Sequence, residues 1–265
     1  MTSARCAASG TKMTNVARVT LQQGFVLHHR AYRDTSVLLE LFTPEHGRVG
    51  AVARGVRKEK SRWAAFLQPF RPLLLSWSGR GELVTLTGVE EDGPVASFPM
   101  TAAPCGFYLN EIMLRLLQRH DAHPKLFSSY GEALHSLGEA QGELATAQER
   151  ILRTFEKHLL DELGYGLMLN HAADTGAALQ PEQRYSYELE RGPVAYNERS
   201  ASVAVSGATL LALGRLDLTD AQCLREAKRL MRTVLAHYLG DKPLHSRALF
   251  QRGGVSTVQV ADVKC

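Results

Sequence analysis

The chain has 265 residues, of which 45% are hydrophobic and 22% charged, enough apolar material for one or two globular domains. No apolar run approaches the roughly 18 residues of a membrane-spanning helix, and residues 1–18 lack the hydrophobic region of a secretion signal. We predict a flexible tail over residues 1–18, in which Met13 is a possible second start. The four cysteines are scattered without a close pair, which is typical of a cytoplasmic protein.

The charge is strongly segregated along the chain, although the net value is only +4. Residues 1–80 contain 13 basic and 4 acidic side chains, whereas residues 81–223 contain 10 basic and 20 acidic ones. Residues 224–265 are basic again, with 8 basic and 3 acidic side chains. This asymmetry favours a polyanion contact on the N-terminal part and a second one near the C-terminus. Uneven decoration of the surface is the alternative.

Residues 19–95 read as five short strands separated by turns. The third strand ends at Gly55, and the last two are joined by Gly79-Arg80-Gly81, which is typical of a short hairpin connection. Five strands within about seventy residues predict a small closed barrel of the OB-fold type. An SH3-like barrel would give almost the same pattern.

Residues 96–252 change to a helical period and predict a mainly α-helical domain. Helices are expected within "CGFYLNEIMLRLLQRH", from His123-Pro124 to Leu137, from about Glu143 to Leu163, and from Thr219 to Gly240. Thr219 and Gln222 have the spacing of a capping box. A polar, irregular insertion is expected at about 170–206 and a C-terminal tail at 253–265. The predicted fold class is α+β.

The connection after the third strand, "ARGVRKEKSRW", has five cations and one acid within nine positions. Cations neutralise phosphates and an exposed aromatic side chain stacks on bases, so this basic loop is a candidate grip on a nucleic-acid backbone. Trp63 beside it either stacks on a base or belongs to the barrel core. A solvated loop is the alternative interpretation. The loop candidates for polyanion binding are Arg54, Arg57, Lys58, Lys60 and Arg62.

No catalytic constellation is present in the sequence. A phosphate-binding P-loop needs a second glycine before its Lys-Ser pair, but Glu59 precedes Lys60-Ser61 here. His171 and Asp174 have a ligand-like spacing, with His158 upstream, but no cysteine is near enough to complete a zinc site. We therefore predict a binding protein without metal or cofactor rather than an enzyme.

Several segments resemble the bacterial DNA repair protein RecO family. The resemblance rests on Gly55-Val56-Arg57 with "LQPF", on "FEKHLLDELGYG", and on Lys242-Pro243-Leu244 followed by Ser246-Arg247, all in the family's order across about residues 22–252. It implies an OB-fold followed by a helical domain. Some relatives hold zinc with four cysteines after the "LGYG" segment; here "LNHAADTG" stands there, so the chain resembles the metal-free branch.

The resemblance also implies a function. Members of this family are recombination mediators that bind single- and double-stranded DNA, anneal complementary strands, and act on DNA coated by single-stranded-DNA-binding protein, whose C-terminal tail they contact. They cooperate with RecR to load RecA at the bacterial nucleoid. Outside the basic loop, the expected DNA-binding residues are Arg33, Arg71, Arg229 and Arg247. An OB-type RNA-binding or protein-interaction module is the alternative, and a metal-dependent phosphodiester hydrolase comes third.

Overall fold

The computed structural model describes residues 17–59, 61–93, 98–140, 143–200 and 202–252. Both predicted tails therefore lie almost entirely outside the described residues, as does Lys60 of the basic loop. None of the described helices combines the length and the apolar run that crossing a membrane would require.

The N-terminal part is a closed five-stranded barrel with the strand order β1-β2-β3-β5-β4. Its strands pair antiparallel except β3 and β5, which run parallel and close the barrel between Ala51 and Val84. This is the OB-fold arrangement, so the OB-fold prediction is confirmed and the SH3-like alternative is wrong. The strands are β1 (Arg18–Tyr32), β2 (Ser36–Thr43), β3 (Gly47–Ala53), β4 (Leu73–Ser78) and β5 (Val84–Glu91).

Alternation of side chains along the strands fills the barrel interior. Leu39 and Leu41 of β2, Ala51 of β3, and Leu73 and Leu75 of β4 are fully buried in one apolar cluster. Inward residues recur at every second position, as the pleat of a strand requires. The alternation of apolar and polar residues that predicted the strands therefore also places the apolar side chains in the barrel core.

The C-terminal part is mainly helical, as predicted. Pro124 starts α2 and Gly240, with a φ of 70°, ends α5, both as the sequence indicated. The capping-box prediction is wrong by one residue, because Asp220 and not Thr219 caps α5 by accepting a hydrogen bond from the backbone N–H of Cys223. The helices are α1 (Ala103–Leu116), α2 (Pro124–Glu139), α3 (Leu144–Glu162), α4 (Gly207–Arg215), α5 (Ala221–Leu239) and α6 (Arg247–Arg252).

The segment at 170–206 is not irregular throughout, contrary to expectation. It contains a three-stranded antiparallel sheet in the order β7-β6-β8, formed by β6 (Arg184–Glu188), β7 (Gly192–Ala195) and β8 (Val203–Ser206). Tyr185 and Tyr187 of β6 point into the core shared with α4 and α5. The strands are only four or five residues long, and polar residues surround them, so their period is too brief to read from the sequence.

The barrel and the helices share one apolar core. Phe25 and Phe42 of the barrel pack on Tyr130 of α2, with ring centroids 5.0 and 6.2 Å apart. The side chain of Asn110 in α1 donates to the carbonyl of Leu27 at 2.8 Å and accepts from the Tyr130 hydroxyl at 2.5 Å. These contacts fix the barrel against the helical part.

Candidate nucleic-acid interface

The basic loop begins directly after β3 and folds as a series of tight turns. Gly55 has a φ of 72°, a left-handed conformation that costs little for glycine but is strained for residues with a Cβ. The backbone N–H of Lys58 donates to Gly55 O at 3.2 Å, and that of Ser61 donates to Lys58 O at 3.0 Å. These turns hold the backbone and leave the long side chains in water.

The described cations of the loop are available to a ligand. Arg54, Arg57, Lys58 and Arg62 are all exposed. Among the residues that the structure describes, none of the four forms an ion pair, and Glu59 between them is itself exposed and unpaired. An array of solvated cations without carboxylate partners is suited to neutralising phosphates.

The turn between β1 and β2 lies against the loop and adds Arg33 to it. The backbone N–H of Arg57 donates to Thr35 O at 3.0 Å, and its guanidinium reaches Arg33 O at 3.3 Å. Arg33 has a φ of 54° and holds its guanidinium 5.2 Å from the centroid of the Tyr32 ring. The structure therefore brings Arg33 and the loop cations together at one end of the barrel.

Trp63 packs against the barrel core and is only partly exposed, as is Phe66. Its carbonyl accepts hydrogen bonds from the backbone N–H groups of Phe66 and Leu67. Of the two roles that the sequence left open for Trp63, stacking on a base or packing in the barrel, the structure favours packing on the core. The loop thus offers charge without a free aromatic platform.

Arg71 has a different environment from the loop cations. Its guanidinium donates to Ala65 O at 2.6 Å and pairs with Glu91 at 2.8 Å, and it lies 6.0 Å from the centroid of the Phe66 ring. These contacts tie the connection between β3 and β4 to the end of β5. Arg71 is already engaged within the protein, so of the predicted residues on the barrel it is the least suited to a ligand.

Arg229 and Arg247 lie in the helical part and form no hydrogen bond with the described residues of the loop. The guanidinium of Arg229 in α5 donates to the carbonyl of Ala204 in β8. Arg247 is exposed at the first residue of α6.

The sequence motif before Arg247 is bound to α1. The carboxylate of Glu111 accepts from the backbone N–H groups of His245 and Ser246 at 2.9 and 2.8 Å and from the Ser246 hydroxyl at 2.7 Å. Arg115 donates to the carbonyls of Lys242 and Pro243 at 2.6 Å each. The motif thus positions α6, and with it Arg247.

The outer face of β2 and β3, where OB-folds usually bind ligands, is partly occupied by the connection between α1 and α2. Arg119 pairs with Glu40 of β2, and Arg48 of β3 donates to the carbonyls of Leu114 and Leu117 at the end of α1. A Cβ on Gly50 would approach the backbone carbonyl oxygen of Glu82 to 2.7 Å, so glycine is required there. The open part of the barrel surface includes the end that carries the basic loop.

The residues considered for metal binding have structural partners. Asp174 accepts a hydrogen bond from the backbone N–H of Ala195 at 3.0 Å, and this bond is the main cause that lowers the pKa of the carboxyl. It therefore caps the outer edge of β7. His171 forms a backbone bridge with Ala178. The described residues contain no group of three or more histidine, cysteine or acidic side chains placed to hold a metal ion.

The sequence analysis missed Arg153, a cation buried between α1 and α3. It is 4% exposed and pairs with the fully buried Glu156, whose carboxylate also accepts from the Tyr108 hydroxyl at 2.6 Å. Burial raises the pKa of Glu156 although the charge of Arg153 opposes this. Nε and Nη1 of Arg153 have no hydrogen-bond partner among the described residues. The only sequence signal is a cation and an acid three residues apart within an apolar helix stripe.

A closed five-stranded barrel with a cationic end and an attached helical part defines the class: an OB-fold protein. Two family models, Recombination protein O N terminal and Recombination protein O C terminal, match residues 17–92 and 100–248. The chain therefore belongs to the recombination protein O family, whose members act in DNA repair and recombination.

Curated relatives agree with this assignment. The DNA repair protein RecO of Nitrosococcus oceani is 52% identical over 235 residues, which cover 88% of this chain and 94% of the relative. The RecO protein of Methylococcus capsulatus is 48% identical, covering 89% and 94% of the two chains, and that of Coxiella burnetii is 44% identical, covering 88% and 98%.

Proposed function

We propose that this chain is a non-enzymatic recombination mediator that binds single- and double-stranded DNA at the nucleoid and anneals complementary strands. The observation that carries the proposal is the basic end of the barrel, where Arg54, Arg57, Lys58, Arg62 and Arg33 are exposed and have no ion-pair partner among the described residues. Lys60 is proposed to contribute with them.

The chemistry of this end favours binding through phosphates. Arginine and lysine contact the backbone independently of sequence, whereas a stacking grip requires exposed aromatic rings. Trp63 and Phe66 are packed on the barrel core instead. A strand held only by its phosphates keeps its base edges free to pair with a complementary strand, which is what annealing requires.

The test replaces Arg54, Arg57 and Lys58 together with alanine. Three fewer phosphate contacts should lower the slope of log affinity against log salt by about 2 for single-stranded DNA and weaken binding at low salt at least tenfold. Fluorescence anisotropy with a labelled oligonucleotide, titrated at several salt concentrations, measures both quantities.

A matched control removes the same charge elsewhere, through Lys125→Ala, Arg199→Ala and Arg215→Ala, which are exposed and form no ion pair within the described residues. Equal losses in the two triple variants would show that only net charge matters. Unchanged affinity and slope in the loop variant would overturn the assignment. Competition with RNA of matched length distinguishes a DNA-binding from an RNA-binding protein.

The proposed protein partners are RecR, with which the chain would help load RecA, and the acidic C-terminal tail of single-stranded-DNA-binding protein. The tail ends in a carboxylate, and a carboxylate pairs best with a guanidinium that has free donors in a region shielded from water. Arg153 is the candidate for this role: its Nε and Nη1 are unused but buried, so the tail would have to displace the side chains that cover them. The arrangement supports recruitment of the mediator to coated DNA while the basic loop remains free for the strand.

A further inference from the structure

The surface of α5 carries a row of cations that is distant in sequence from the basic loop. Arg225, Arg229 and Arg232 are exposed and recur at four- and three-residue spacing, which places them on one stripe of the helix. With a rise of 1.5 Å per residue, the stripe is about 10 Å long. The opposite face of α5 supplies buried side chains to the core.

The stripe is not neutralised by the protein. Within the described part of the chain, none of these three arginines has a carboxylate within ion-pair distance, whereas Lys228 on the flank of the stripe pairs with Glu149 of α3 at 3.1 Å. Asp220 caps the helix, and its charge is directed to the backbone N–H of Cys223. Glu226 flanks Arg229 on the side of α5 that faces β8, and its carboxylate is engaged by the hydroxyls of Ser206 and Thr209.

The neighbouring sheet holds one arginine of this row in place. Arg229 is held in place through its bond to Ala204 O of β8. Three exposed arginines on one stripe, one of them oriented by the sheet, suit a phosphate backbone.

We propose that the α5 stripe, formed by Arg225, Arg229 and Arg232, is a second DNA site that holds the complementary strand during annealing. This inference rests on the proposed function and names the second strand that annealing requires. The first strand lies on the basic loop of the barrel, while α5 packs on α3, α4 and β8. Two separate cationic surfaces on one molecule hold two strands without competition for the same side chains.

The test compares the variant Arg225→Ala, Arg229→Ala and Arg232→Ala with the native chain in two assays. Anisotropy with one labelled strand should show affinity within about threefold of native, because the basic loop is intact. Annealing of two complementary strands, followed by energy transfer in a stopped-flow instrument, should slow about tenfold. The control variant lacking Lys125, Arg199 and Arg215 side chains should anneal within twofold of native.

A second variant, Arg225→Ala with Arg232→Ala, keeps the bond between Arg229 and Ala204, and should also slow annealing while its thermal midpoint stays native. Native annealing rates in both variants would overturn the second site. Loss of single-strand affinity equal to that of the loop variant would also overturn it, because the two surfaces would then be one site. If the native chain fails to bind DNA, the proposed function itself fails.

Discussion

Arg153 and Arg57 are both arginines, but their neighbours give them opposite properties. Arg57 is solvated beside Arg33, whereas Arg153 is enclosed with Glu156 and Tyr108. Removing one member of a buried ion pair leaves the other uncompensated and costs about 3–5 kcal/mol. A test of Arg153 therefore has to neutralise Glu156 as well.

At this scale we predict that Arg153→Met with Glu156→Gln weakens binding of an acidic, carboxylate-ended tail peptide at least tenfold and leaves affinity for single-stranded DNA within twofold. Isothermal titration measures the first quantity and anisotropy the second. Glu156→Gln alone retains the guanidinium but leaves its buried charge uncompensated, so it is a valid control only where its thermal midpoint shows a folded protein. Amidation of the peptide's C-terminus should reproduce the loss with the native protein. Native peptide affinity in a folded double variant would exclude Arg153.

The contacts of individual side chains also distinguish the predicted cations of the barrel from one another. Arg57 and Arg71 both lie in the connection between β3 and β4, and composition cannot distinguish them. Arg71 meets Glu91, which is 20 positions away, and Ala65 O, so it holds the connection between strands. These partners become visible only when β5 is placed beside β4.

The shortest helix depends on a longer one. The six residues of α6 are too few for a stable isolated helix. The hydrogen bonds from His245 and Ser246 to Glu111 of α1 supply its anchor. Burial raises the pKa of Glu111, but these bonds and the charge of Arg115 outweigh it and lower the pKa below the ordinary value.

The sign of this shift gives a pH prediction for the element. A carboxyl with a lowered pKa in the folded state stabilises the protein above its unfolded pKa, near 4.5, and loses that contribution as the pH falls through its folded pKa. Glu111→Gln should therefore lower stability at pH 7 by about 2 kcal/mol and flatten the acid dependence of the thermal midpoint below about pH 4.5. Circular dichroism melts from pH 7 to pH 3 measure both.

The control for this prediction is Glu132→Gln on α2, where the carboxylate is exposed and has no ion-pair partner among the described residues. That variant should retain the native midpoint and the native acid dependence. If Glu111→Gln and the native chain lost stability in parallel as the pH fell, the anchoring role of the carboxylate would be wrong.

For the molecule as a whole, the core shared by the barrel and the helices predicts one cooperative unfolding transition. Phe25 and Leu27 of β1 and Phe42 of β2 are buried among residues of α1, α2 and α3. Unfolding either part would expose this apolar surface on the other, and such burial contributes about 25 cal/mol per Å². The barrel and the helices should therefore lose structure together.

The two tryptophans make this measurable, because Trp63 and Trp77 both lie in the barrel and its connections. Tryptophan fluorescence, which reports the barrel, and circular dichroism at 222 nm, which reports the helices, should give coincident urea curves. Asn110→Ala leaves Leu27 O and the Tyr130 hydroxyl unpaired. It should lower the free energy of unfolding obtained from both curves by about 2 kcal/mol. Two separated transitions in the native chain would contradict the shared core.

The barrel, the long helices and the basic loop could be predicted from the sequence, because strand alternation, helix periodicity and local charge depend on residues that are near one another in the chain. The sheet formed by β6, β7 and β8 was not predicted, because its strands are too short to show an alternating pattern. The folded structure was needed to show which cations are solvated and which are engaged. It was also needed to show that Trp63 packs on the core, that Asp174 bonds to the edge of β7, and that Arg153 is enclosed. The physical reason is that each of these properties depends on partners distant in sequence, such as Glu91 for Arg71 and Ala195 for Asp174, which folding alone brings into contact.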